Sequence, residues 1–327
     1  MATNKQPISF TKEVKNEVSN LTERNVSENL ALLSAFTKIN SSLILRGKEW
    51  GLVLHSENQK TAKLILGLIH SIFHVECNVA VVQKKHFTKP GNDTIIQIEV
   101  MGNVKNILSS LQLYNEKQHF NSLPNYDFLR NNDVKRAYLS GAFLASGSIN
   151  SPETSNYHLE VALNNDKQAD LIINQLHTFY IEAKKTSRRN QVVIYLKKSE
   201  QIADFLRVLG ASQSLLKFEN VRIQRDQYNS VNRVNNCDLA NLNKAVTNGL
   251  EQQKKIQLIV KKMGIENLPP IYQDLARIRL EHPEYSLADL VDELQEVAHV
   301  QMTKSGIYYR LHKIEEIADR LRGDEDE

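Results

Sequence analysis

LSAFTKINSSL (Leu33–Leu43) returns as LSGAFLASGSI (Leu139–Ile149), and this recurrence decides how the chain is read. Two further echoes follow in the same order. The run from Asn58 to Phe73 (NQKTAKLI, then LIHSIF) is answered by that from Asn165 to Tyr180 (NDKQADLI, then QLHTFY). NVKNILSSL (Asn103–Leu111) is answered by QIADFLRVL (Gln201–Leu209). Identity is low in each piece, but the constant order and spacing define an internal repeat. One copy is too long for a solenoid unit and reads as half of a pseudo-symmetric domain.

The first copy spans 25–113. Leu30, Leu33, Phe36 and Asn40 recur at helical spacing, and LILRGKEWGLVLHS then alternates like a hairpin turned at Gly47. A helix over Asn58–Phe73, two strand-like runs and a helix over Val104–Leu111 complete it. The polar loop KKHFTKPGN separates those two runs. The order is helix, two strands, helix, two strands, helix. The second copy, 133–217, is shorter: its motif helix leads to YHLEVALNN and a helix over Lys167–Tyr180. The basic connection AKKTSRRN, the strand QVVIYLK and a helix over Glu200–Leu209 follow. Residues 1–24 read as an N-terminal helical extension and 114–132 as a polar, aperiodic inter-repeat linker.

Bulk properties narrow the class. The chain has 327 residues, 41% of them apolar and 24% charged, as in ordinary globular proteins. A formal charge of +3 is too mild to signal nucleic acid by itself, so the placement of charges must carry that argument. Two cysteines, Cys77 and Cys237, in unrelated contexts offer neither a disulfide framework nor metal spacing, which points to a reducing, cytoplasmic setting. His70 and His177 occupy equivalent repeat positions with no second ligand beside them and read as structural. No stretch approaches the ~18 apolar residues of a membrane span. No cofactor, membrane or small-molecule substrate is expected.

Beyond the repeats the pattern changes. Residues 218–237, with five Asn and no apolar stripe, read as an irregular connector. From 238 to 322 everything reads helical, starting with a long helix capped by Asp238 and ending at Gly264. Pro269 and Pro270 suit the first turn of the next helix, and His282–Pro283 ends it. Ser286 and Asp289 then form a capping box. The last helix buries Ile307, Leu311 and Ile314. Together these define an all-α domain with a helix-turn-helix at about 284–318, and an acidic tail over 323–327.

The motif helices carry small residues: Ser34 and Ala35 in one copy, Ser140, Gly141, Ala145, Ser146 and Gly147 in the other. Such side chains let two helix backbones approach closely. Gly141, Ala145 and Gly147 in LSGAFLASG resemble the small positions of the LAGLIDADG homing-endonuclease motif. That resemblance implies an α+β N-terminal domain of two pseudo-symmetric LAGLIDADG-like repeats, whose sheets form a saddle over DNA. In that family the last acid of each motif helix holds divalent metal. Here its places fall on Asn40 and Ser146, and neither supplies the anionic oxygen a hard Mg²⁺ site requires. The resemblance therefore implies a kept fold and lost catalysis. RAYLSGAFLASGSINSPETSNYHLE, FENVRIQRDQYNSVNRVNNCDLANLNKAV and TKSGIYYRLHKIEEIADRLR further resemble segments of the WhiA family of bacterial regulators, over Ile8–Arg322. That family's architecture is a degenerate repeat pair followed by a helix-turn-helix. It implies roles in cell division, chromosome segregation and transcription.

In a helix-turn-helix the first turns of the second helix meet base edges. Turning Ile307, Leu311 and Ile314 inward leaves Lys304, Ser305, Tyr308, Tyr309, His312 and Lys313 outward, with Arg310 at the edge. Lys244, Lys254 and Lys255 on the long helix, and Arg222, Arg225 and Arg233 in the connector, are expected to add phosphate contacts. Lys84, Lys85, Lys184, Lys185, Arg188 and Arg189 are candidate saddle contacts. The expectation is a non-enzymatic regulator of double-stranded DNA, cytoplasmic and nucleoid-associated, with a protein co-regulator held open. The alternatives are an endonuclease with non-standard ligands, an RNA-binding maturase-like protein and a protein scaffold.

Overall fold

The computed structural model describes residues 8–47, 49–83, 94–117, 119–120, 123–188 and 191–323. It divides into two compact units, 1–225 and 226–327.

The first unit opens with α1 (Phe10–Ser19), and then the two repeats follow. Repeat one runs α2 (Val26–Asn40), β1 (Ser41–Arg46), β2 (Glu49–Ser56), α3 (Gln59–Phe73), β3 (Cys77–Gln83), β4 (Thr94–Met101) and α4 (Val104–Ser110). Repeat two runs α5 (Asn132–Ser146), β5 (Gly147–Ile149), β6 (Leu159–Leu163), α6 (Asp166–His177), β7 (Lys184–Arg188), β8 (Gln191–Leu196) and α7 (Ser199–Leu209). The element order read from the echoes is the order observed. Both sheets are antiparallel with the same topology, β1-β2-β4-β3 and β5-β6-β8-β7. Even the caps repeat. Asn25 and Asn131 accept backbone N–H bonds at the starts of α2 and α5, and Asn58 and Asn165 do so for α3 and α6.

The motif helices α2 and α5 pack on each other at the centre of the core, burying Leu32, Leu33, Phe36, Tyr138 and Phe143. Gly141 makes that approach possible, because a Cβ there would overlap the Leu32 carbonyl oxygen. Gly47, with φ +63°, turns the β1–β2 hairpin as its sequence position suggests.

Three local expectations need correction. The stretch 218–237 is no irregular connector: it lies inside α8, an unbroken helix over Ser212–Lys262. The run from Ser212 to Asn248 holds neither proline nor glycine, so nothing in the backbone stops a helix once it has started. Asp238 accordingly sits in mid-helix and caps nothing. The start is fixed by a distant residue: Glu17 of α1 accepts from the Gln213 and Ser214 amides at 2.7 and 2.9 Å and from Ser214 Oγ at 2.6 Å. Second, part of AKKTSRRN is strand β7, paired antiparallel with β8. Third, α6 ends at His177 rather than Tyr180, and Tyr180 takes a left-handed conformation at φ 60°.

In the second unit the C-terminal part of α8 packs with α9 (Pro270–Glu281), α10 (Leu287–Ala298) and α11 (Lys304–Gly323). Its core holds Ile256, Ile259, Leu275, Leu290, Leu294, Ile307, Leu311 and Ile314. Pro270 stands in the first turn of α9, and the capping box of Ser286 with Asp289 is formed.

Candidate nucleic-acid interface

α10 and α11 form a contacting helix pair joined by a short crossing. His299 ends α10 in a left-handed turn (φ 53°), residues 300–303 cross over, and Thr303 Oγ1 accepts from the Gly306 amide at 3.2 Å. Ile307, Leu311 and Ile314 fill the core, so Lys304, Ser305, Tyr308, Tyr309 and His312 fall on the exposed side of α11. Tyr308 and Tyr309 are each 61% exposed, an unusual placement for aromatic rings without a partner surface. Buried Arg279 holds the turn into α10, donating to the carbonyls of His282, Pro283 and Tyr285.

The cations of this unit divide into two sets. Lys304, Arg233, Lys244 and Lys254 stand exposed. Others are engaged. Lys313 pairs with Glu316 at 2.8 Å and lies over the Tyr309 ring at 5.6 Å; its bond to Glu316 holds the ammonium above its usual range. Lys255 binds Glu315 and Asp319 at 3.4 and 3.1 Å, and Arg310 donates to the Ile271 carbonyl at 3.1 Å. His312 faces Glu316 at 3.1 Å. A cationic face running the full length of α11 is therefore not formed. Lys304 is exposed in the first turn of α11 and Arg320 and Arg322 in its last, while acids engage Lys313 and His312 between them.

In the repeats, the candidate saddle cations separate by strand parity. Lys185 points to the helix side of its sheet and binds Asp166 and Asp170 of α6 at 2.8 and 2.6 Å. It is withdrawn from any saddle face. Lys184 and Arg188 alternate with it and share the opposite face with Tyr195 and Gln191, their register partners. Lys84, Lys85 and Arg189 lie outside the described residues. On the sheet of repeat one, the corresponding face carries Ile44, Val53, Gln97 and Glu99, with Glu99 bound by Arg46 at 2.9 Å. Among the described residues this face holds one arginine, Arg46, paired with Glu99, beside the polar Ser42, His55 and Asn78. Arg222 and Arg225 are also spent: Arg222 pairs with Glu219, and Arg225 donates to the carbonyls of Pro152, Thr154 and Ser155 over the Tyr157 ring.

Asn40 and Ser146 are each the last residue of a motif helix, and each passes straight into the first strand of its repeat. Asn40 Nδ2 donates to the His55 carbonyl at 2.8 Å and across to the Ala145 carbonyl of the other motif helix at 3.2 Å. The Ser146 hydroxyl is buried without a hydrogen-bond partner. Between these helix ends and α1 lies a cleft of about 850 Å³ that Lys12, Lys15, His55 and Glu57 also line. Lys12 and Lys15 lie on α1, outside both repeat echoes, and Glu57 just before the Asn58 cap of α3, so local spacing marks none of the three. Among the described residues no group of three His, Cys, Asp or Glu gathers as a metal cluster would. No helix of the described residues is long and apolar enough to cross a membrane.

Fold and site together define a class: a paired LAGLIDADG-like domain followed by a helix-turn-helix. Comparison with known proteins gives the same division. Residues 26–114 match the WhiA N-terminal LAGLIDADG-like domain, 135–228 the WhiA LAGLIDADG-like domain and 231–318 the WhiA C-terminal HTH domain. The chain belongs to the WhiA family. It is 38% identical, over 97% of its length and 99% of the relative's, to the probable cell division protein WhiA of Staphylococcus aureus strain USA300. The same identity and coverage hold for the probable cell division protein WhiA of strain Newman. The full-length DUF199/WhiA crystal structure from Thermatoga maritima is 25% identical, covers 96% of this chain and 99% of its own, and superposes with a TM-score of 0.56.

Proposed function

We propose that this chain is a DNA-binding regulator of cell division and chromosome segregation that acts on transcription and cuts nothing. The observation that carries the reading is α11, whose first turn is capped by Thr303 and whose opening turns expose Lys304, Tyr308 and Tyr309. Those turns enter the major groove, where Lys304 and Ser305 meet base edges or phosphates and the tyrosines supply apolar and hydroxyl contacts. Lys244, Lys254 and Arg233 add affinity without sequence information. Asn40 and Ser146 stand where a nuclease would need carboxylates, which supports the absence of cleavage. Binding then places the protein in the cytoplasm, on the nucleoid. The name of the Staphylococcus relative supports the link to division.

The test is equilibrium binding of the full chain to genomic duplex fragments across a salt series. Affinity should fall by orders of magnitude between about 50 and 200 mM salt. Lys304→Ala with Tyr309→Ala should abolish the specific complex, and the same duplexes should stay uncut with Mg²⁺ or Mn²⁺. Metal-dependent cleavage, or tighter binding to structured RNA than to duplex, would overturn the reading.

A further inference from the structure

The cleft at the ends of the motif helices has a charge inventory of its own. A metal-dependent nuclease holds phosphate indirectly: carboxylates hold cations, and the cations hold the phosphate oxygens. Here the two helix ends present Asn40 and Ser146, both neutral. Positive charge comes instead from α1, whose Lys12 and Lys15 are three residues apart and so share one side of that helix. Thr11 fixes α1 in place by accepting from the Ile149 amide at 2.9 Å and donating to its carbonyl at 2.8 Å. Lys15 Nζ lies 5.9 Å over the ring of Phe143, one turn before Ser146 on α5. Two ammonium groups thus face one carboxylate, Glu57, across the same space. Ser146 also lines the cleft, its hydroxyl buried and without a hydrogen-bond partner.

We propose that this cleft is a binding site for a phosphate group, with Lys15 and Lys12 as its counter-ions and Ser146 as a hydrogen-bond donor. The cations act on the phosphate directly, without metal between them. The site stands whether or not α11 reads DNA. The phosphate belongs either to a free anion such as a nucleotide or to the DNA backbone. Burial pushes the Lys15 ammonium down to about 8, against the opposing field of Glu57. Occupancy should therefore weaken as pH rises through that value. The other groups facing Lys15 are Lys12 on its own helix and His55 and Glu57 at the end of β2.

The experiment is a calorimetric titration of the full chain with inorganic phosphate and with a nucleoside monophosphate, beside duplex binding. Each is repeated for Lys15→Gln, Lys12→Gln, Ser146→Ala and the charge-keeping Lys15→Arg. Loss of Lys15 should weaken phosphate on the order of tenfold or more, as expected for a charge-assisted bond, and arginine should restore it. If only the free anions are affected, the source is a small molecule. If only duplex affinity drops, while the Tyr309→Ala effect persists unchanged on top of it, the source is the DNA backbone. Should Lys15→Gln fail to fold, Lys12→Gln, at an exposed position, and Ser146→Ala supply the reading. Unchanged affinity in both arms for Lys12→Gln and Ser146→Ala, or for folded Lys15→Gln, would overturn the proposal.

Discussion

A single glycine sets how close the two repeats come. Gly141 lies against the backbone of α2, so any side chain must push the helices apart. Gly141→Val should destabilise the first unit by about 1–3 kcal/mol, read from chemical unfolding. Lys15 makes a second prediction at this scale. Its ammonium is held at about 8 against an ordinary 10.5, so the native state gives up a proton more readily than the unfolded chain. The penalty for burying the charge is present in full below about pH 8. It is relieved as pH climbs to 10.5, over which range this group raises stability. Lys15→Met should remove that rise and be the more stable protein at pH 7, in urea titrations at both ends of the window. Arg279 shows the opposite arrangement, a buried cation whose three carbonyl partners all lie in the turn before α10.

At the scale of elements, α8 separates what local composition suggests from what the backbone permits. Asn is a poor helix former, and five of them over 218–237 lower the intrinsic preference. Without proline or glycine, however, that cost is spread thinly, and tertiary contacts at the helix start outweigh it. Glu17 caps the free amides, Lys217 pairs with Glu13 at 2.7 Å, and Phe218 packs between Phe10 and Tyr157. Asn235→Pro tests the continuity of this helix. It should cost about 3 kcal/mol and a measurable part of the helical circular dichroism, where an irregular connector would absorb it without loss. The edge strand β7 teaches a related lesson. Its basic residues read as a mere connection because no apolar alternation marks them, and its strand character comes from pairing with β8.

Taking the molecule whole, the site residues sort themselves by charge pairing. Of the cations named from sequence, Lys185, Lys255 and Lys313 carry acidic partners and Arg310 a carbonyl, whereas Lys304, Lys244 and Lys254 stand exposed. Full-chain DNA affinity should consequently fall further on Lys304→Ala than on Lys185→Ala. The salt slope should drop by about one unit per phosphate-contacting lysine removed. Paired variants at Lys184 and Arg188 measure the saddle's share.

The repeat, its element order and the C-terminal helices were legible in the linear chain because they rest on local periodicity and caps. Apolar spacing marks α2, α3 and α11; Asn58 and Ser286 announce their own helices; small residues in LSGAFLASG announce a close helix pair. These signals act within a few residues and survive without knowledge of the fold. Tertiary structure decided everything that depends on a distant partner. Glu17 starts α8 from 196 residues away, strand parity turns Lys185 toward α6, and acids on α11 engage Lys255. The cleft between α1 and the motif-helix ends likewise exists only once the repeats are paired. Charge pairing and capping across such separations leave no mark on local spacing, since the free energy that selects them arises only when the chain is already folded.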